Sequence, residues 1–174
     1  MAAHEQWHNN FAIPFTFYFS FKIYYIQQSQ TLIMDSRSIF VSYSSNDRPF
    51  AKGLVKELVD LGVDAWIDQK GIKVGENWDN AIEEALEKSD TFMLLISPSA
   101  VKSINVQDEA SIAMSSDKTI VPILIKNSDL PMRWKRRQYV DLTQNPEKGL
   151  KDIIGFLNLP NQKAFNKLKD ILSL

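Results

Sequence analysis

Residues 91–109 read TFMLLISPSAVKSINVQDE, and this stretch decides the fold. Phe92 to Ile96 is an unbroken apolar run without alternation, the pattern of a strand covered on both faces by helices in a parallel sheet. Ser97-Pro98 ends it, because proline fixes φ and has no N–H for the ladder. After a short polar loop a helical pattern begins near Ser103 or Ile104. At about 100° per residue, Val106, Ala110, Ala113 and Met114 share an apolar stripe, with Glu109 roughly 60° to one side of Val106. Glu109 is therefore expected on the flank of a helix that follows a central strand. In open α/β sheets that region faces the crevice outside the carboxyl ends of the strands, where ligands bind. The competing reading is a solvated helix glutamate.

Working outward, strands alternate with helices. Ile39 to Tyr43 is a buried strand, Ser44 to Asp47 a polar loop, and Asp47 or Asn46 a cap for a helix that carries Pro49 in its first turn. Phe50, Ala51, Leu54, Val55, Leu58 and Leu61 form its apolar face, and Gly62 ends it. Val63 to Ile67 is a second strand, leading through Asp68 into a loop to Asn77 and a helix from Trp78 to Lys88. Thr119 to Ile125 is a fourth strand, whose Pro122 implies an edge or an irregular ladder. Gln138 to Leu142 is a short fifth, Pro146 opens a helix, and 160–174 forms a last amphipathic helix. Five strands joined through helices by short loops imply a flavodoxin-like α/β fold, a five-stranded parallel sheet with helices on both faces.

The chain has 174 residues, enough for one domain with extensions. Its formal charge of −1 provides no field for nucleic acid or an acidic membrane surface. Without cysteine there is no disulfide framework, thiol catalysis or thiolate zinc site. Residues 1–33 are aromatic-rich and unlike the rest. We read Met34 as the natural start and the preceding segment as upstream translation or a poorly ordered tail. A membrane-associated segment, or an extra strand or hairpin, is the alternative. The apolar run from Phe11 to Ile26 is shorter than the ~20 residues a spanning helix needs, and it lacks the flanks of a secretory signal. His4-Glu5-Gln6-Trp7-His8 matches the letters of a zinc-protease string, but nothing around it supplies a third ligand or a cleft. No metal is expected.

Neither a P-loop nor a dinucleotide-binding glycine string occurs, and the places where a phosphoryl-accepting receiver domain needs carboxylates hold Tyr43-Ser44 and Ser97-Pro98. The loops that converge on one sheet edge instead carry Ser44, Ser45, Asp68, Lys70, Ser97 and Glu109. Each loop serine taken singly is as well read as a turn or cap, and Trp78 as core. The cluster Arg133 to Arg137 reads as a solvated basic loop in preference to a nucleic-acid site.

These residues together resemble a Toll/interleukin-1 receptor (TIR) domain over Ser38 to about Leu159. The motifs that carry the resemblance are Ile39-Phe40-Val41-Ser42-Tyr43-Ser44, Trp66-Ile67-Asp68 with Gly75 and Trp78, Ile96-Ser97-Pro98, and Glu109. We accordingly divide the chain into the extension 1–33, a TIR domain 34–159 and the C-terminal helix 160–174. The compact loop ending Gly75-Glu76-Asn77-Trp78 is similar to bacterial members, many of which cleave NAD⁺ to nicotinamide and ADP-ribose or a cyclic isomer.

The resemblance implies that Glu109 is catalytic, that Ser44, Ser45, Asp68, Lys70 and Ser97 contact the substrate, and that Trp78 supports or stacks. NAD⁺ is then substrate and no cofactor is needed. Many catalytic relatives carry Trp four residues before the glutamate. This chain has Asn105 there, able to hydrogen-bond the carboxylate or a ribose hydroxyl but not to form an aromatic wall. By the same resemblance the setting is a bacterial cytoplasm and an anti-phage response. Copies self-associate through TIR–TIR contacts, with a separate sensor or effector protein as partner and no nucleic acid. The alternative is a non-enzymatic TIR–TIR interaction module, a signalling adaptor or host mimic, acting through the loop Ile72 to Asn77.

Overall fold

A computed structural model describes residues 37–67, 84 and 86–173. Five parallel strands form one sheet: β1 (Ser38–Ser42), β2 (Asp64–Ile67), β3 (Thr91–Ile96), β4 (Thr119–Leu124) and β5 (Val140–Asp141), in the order β2-β1-β3-β4-β5. The strand read first in the sequence is the middle one, and all six of its residues are buried. The helices are α1 (Arg48–Asp60), α2 (Pro98–Lys102), α3 (Ile104–Ser115), α4 (Met132–Lys135), α5 (Pro146–Phe156) and α6 (Asn161–Asp170). Glu84 and Leu86 to Lys88 are also helical, and Lys88 Nζ donates to Glu84 Oε1 at 2.6 Å.

The alternation of strand side chains builds two cores. Ile39, Val41, Met93, Leu95, Val121 and Ile123 pack on one face against α1, α5 and α6. Phe40, Phe92, Leu94, Ile96 and Leu124 pack on the other against α2, α3 and α4. Helices on both faces explain why β3 is apolar without alternation from Phe92 to Ile96. The fold is the expected flavodoxin-like α/β architecture.

Local chemistry sets the element ends. Gly62, at φ 88°, donates to Val59 O at 2.9 Å, and Val63 N reaches Leu58 O at 3.0 Å, a Schellman closure that only glycine enters without strain. Asn145 caps α5 by accepting from Lys148 N at 3.0 Å, with Pro146 as its first residue. Ala164 and Leu168 of α6 are buried in the core shared with α1.

Two expectations need correction. The stretch after β3 is not a loop, since Pro98–Lys102 is a short helix in which Pro98 occupies the first position and Ser97 the cap. The fifth strand is two residues long, not five. The Asp141 side chain turns the chain immediately, accepting from Thr143 N and Thr143 Oγ1, both at 2.7 Å, and from Gln144 N at 3.2 Å.

Pro122 lies next to the uncovered edge that results. Leu124 O accepts from Leu142 N at 2.9 Å while Thr119 N donates to Asp90 O at 3.0 Å, so even-numbered residues of β4 face the β5 side. Only Ile123 and Leu124 pair with β5, so the missing N–H of Pro122 removes no ladder bond. A groove of about 770 Å³ follows this edge, with Lys135, Arg136 and Arg137 on its opposite wall.

Burial alone would push the Asp141 carboxyl upward, but the Thr143 hydroxyl and the amides of Thr143 and Gln144 hold it below the usual aspartate range. A folded value below the unfolded one adds stability above about pH 4, which is lost as pH falls through the folded value. Urea midpoints measured from pH 5 downward are expected to fall less steeply in Asp141→Asn than in wild type.

Candidate active site

The carboxyl ends of β1 and β3 and the start of α3 meet at one place. Ser103 caps α3, accepting from Val106 N at 3.4 Å, and this start sets the helix phase that turns Glu109 toward the sheet. Glu109 is more enclosed than its flank position implies, with only 8% of its surface exposed. Ser42, the last residue of β1, meets it there, its Oγ donating to Glu109 Oε2 at 2.5 Å. In such surroundings a carboxylate acts strongly on any positive charge that develops beside it.

A second buried carboxylate follows β1. Asp47 is 1% exposed, and its Oδ2 accepts from Ser97 Oγ at 2.5 Å and Ser99 Oγ at 3.1 Å, while Oδ1 accepts from Lys126 Nζ at 2.8 Å. The sequence suggests Asp47 as a cap for α1, and it does occupy that position, but its side chain makes no cap bond. The loops after β1, β3 and β4 are joined through it instead.

The structure separates the other candidates. Ser44 is buried and Ser45 exposed, both in the loop after β1. Ser97 is fully buried, its Oγ donates a hydrogen bond to Asp47 and accepts from Ala100 N at 3.0 Å, so its hydroxyl holds the wall of the site. Asn105 is exposed one turn before Glu109. Asp68, Lys70 and Trp78, the loop Ile72 to Asn77, and the histidines of HEQWH lie outside the described residues.

Ser42 and Asp47 are the residues that sequence reasoning missed. Ser42 alternates to the polar end of an apolar strand, a weak signal, and Asp47 meets Ser97 and Lys126 from 50 and 79 positions away. Trp134 was hidden among charges: it is fully buried, and its indole N–H has no hydrogen-bond partner among the described residues. Arg133 holds it in place from outside, donating to Ser111 Oγ at 3.1 Å and Gln107 Oε1 at 3.3 Å.

Residues 39–154, about two thirds of the chain, match the family model for the TIR domain. The chain belongs to the TIR-domain family. Its fold is similar to the crystal structure of the TIR domain of the Toll-related receptor TRR-2 from Hydra magnipapillata. The two are 19% identical with a TM-score of 0.62, over 70% of this chain and 98% of that one. A weaker likeness, at 15% identity and a TM-score of 0.46, is to the TIR domains of the activated Roq1 resistosome that recognises the pathogen effector XopQ. It covers 80% of this chain and 85% of that one. No curated protein sequence matches this chain. In this TIR domain no described helix is long and apolar enough to cross a membrane.

Proposed function

We propose that this TIR domain is an NAD⁺ nucleosidase that cleaves the nicotinamide–ribose bond, with Glu109 as the catalytic carboxylate. The observation that carries the reading is the enclosed Glu109 carboxylate, held by Ser42 at the carboxyl edge of the sheet. Nicotinamide in NAD⁺ is a cationic leaving group and needs no general acid. As the C1′–N bond lengthens, its electron pair passes to the ring nitrogen and positive charge spreads over the ribose C1′ and ring oxygen. A carboxylate fixed beside that sugar stabilises the developing charge, with no metal required.

Attack of water at C1′, with loss of a proton to solvent, gives ADP-ribose; capture by the molecule's own adenine or ribose gives a cyclic isomer. In this reading Asn105, exposed one turn before Glu109, meets a ribose hydroxyl. Ser44, Ser45, Asp68, Lys70 and Trp78 complete the substrate contacts in this reading, and Ser97 shapes the wall. Self-association of copies, a separate sensor or effector, and a cytoplasmic role in anti-phage defence belong to the same proposal.

The test is NAD⁺ turnover by the purified chain at high concentration and when artificially clustered, with products separated by chromatography and mass. Release of nicotinamide in equal amount to ADP-ribose or its cyclic isomer is expected. No turnover in either state would overturn the reading and leave a TIR domain that acts by association alone.

A further inference from the structure

We infer that Asp47 is a positioning residue for the Glu109 carboxylate, acting through Ser97 and anchored by Lys126; the inference rests on the reading of Glu109 as the catalytic group. A carboxylate that is 1% exposed is costly to bury unless it is paired and hydrogen-bonded, and Asp47 is both. Helix capping does not account for it, because no backbone amide of α1 bonds its side chain. Its three donors come from two separate places: Ser97 and Ser99 at the start of α2, and Lys126 after β4. Its own amide donates to Ser44 O at 2.8 Å, which closes the loop after β1.

The path from Asp47 runs through hydrogen bonds as far as Gln107, and the helix α3 itself carries it the last two residues to Glu109. Ser97 is bound to Asp47 and caps α2 through Ala100 N. Ser103 then ends α2, its N–H on Ala100 O at 3.2 Å, and begins α3, its oxygen receiving Gln107 N at 3.0 Å. Gln107 Nε2 returns to Val101 O at 2.8 Å and braces the corner between the two helices. A displacement of α2 is therefore carried into the first turns of α3, where Glu109 sits. The hydrogen bond from Ser42 fixes the other end, since Ser42 belongs to the strand that precedes Asp47. Catalytic geometry is sensitive to shifts of about 1 Å, so the tie bears on rate although Asp47 touches no substrate.

The experiment uses the full chain as wild type, Asp47→Asn, Ser97→Ala and Lys126→Met, each at temperatures below its own melting transition. Turnover is measured beside carboxyl-¹³C NMR of glutamate-labelled protein, the Glu109 resonance being identified by its disappearance in Glu109→Gln. Asp47→Asn is expected to lower kcat about 10- to 100-fold with KM within about threefold, and to move the Glu109 resonance. Lys126→Met, on a side chain 60% exposed, is expected to move both readouts in the same direction by less, and covers the case in which Asp47→Asn does not fold. A kcat loss with a stationary Glu109 resonance, a moved resonance with unchanged kcat, or losses that follow only the folded fraction would overturn the inference. If wild type turns over no NAD⁺, the functional reading fails by itself. The NMR arm then decides positioning alone: a moved resonance supports it and a stationary one overturns it.

Discussion

Glu109→Gln is expected to lower NAD⁺ cleavage by about 10²- to 10³-fold while leaving the fold intact, because it removes the charge and keeps the shape. Glutamine still offers an oxygen to Ser42 Oγ, which now donates to Glu109 at 2.5 Å, so helix placement is retained. The loss is expected in kcat more than in KM, since the carboxylate acts on charge that exists only as the bond breaks. Ser42→Ala is expected to cost less, about tenfold, by loosening a carboxylate that remains charged. Nicotinamide release with matched melting curves checks both. Equal turnover in wild type and Glu109→Gln would remove Glu109 from the chemistry.

Gly149→Ala is expected to destabilise the domain by about 1–3 kcal/mol, although alanine is the better helix former. A Cβ at Gly149 would lie 2.6 Å from Leu142 Cδ2 and 2.8 Å from Asp141 O. The first can shift by a rotamer change, but the second is the backbone of β5, held by the turn that Asp141 closes. Gly155 in the same helix has nothing within 4 Å of an added Cβ, so Gly155→Ala is expected to gain up to about 1 kcal/mol. Urea midpoints of the two variants should move in opposite directions with m unchanged. A stabilised Gly149→Ala would mean that α5 does not approach β5 so closely.

The sequence made the sheet legible because β3 is apolar from Phe92 to Ile96 and the helices α1 and α5 are amphipathic at the right period. It made Glu109 legible as a residue on the helix after β3, but not its hydrogen bond, which Ser42 brings from another strand. Periodicity within one helix cannot report a contact 67 positions away. The same limit hid Asp47, whose position beside a helix start suggests a cap and whose partners come from two distant loops. Trp134 lies inside the cluster read as a solvated basic loop, since its neighbours in sequence are charged and exposed, yet it is fully buried in the core that also holds Ile96 and Leu124. Pro122 was informative: it marked the strand whose outer side is only half covered.

That half-covered strand bears on how the chain meets other copies of itself in solution. Sheet edges left open are templates on which neighbouring chains add strands and aggregate irreversibly. Here Pro122 has no N–H to offer on the β5 side, and Lys135, Arg136 and Arg137 line the groove beside it. An incoming strand would lose hydrogen bonds and meet like charge from any second copy. Proline and the basic residues therefore disfavour the addition of a strand at this edge.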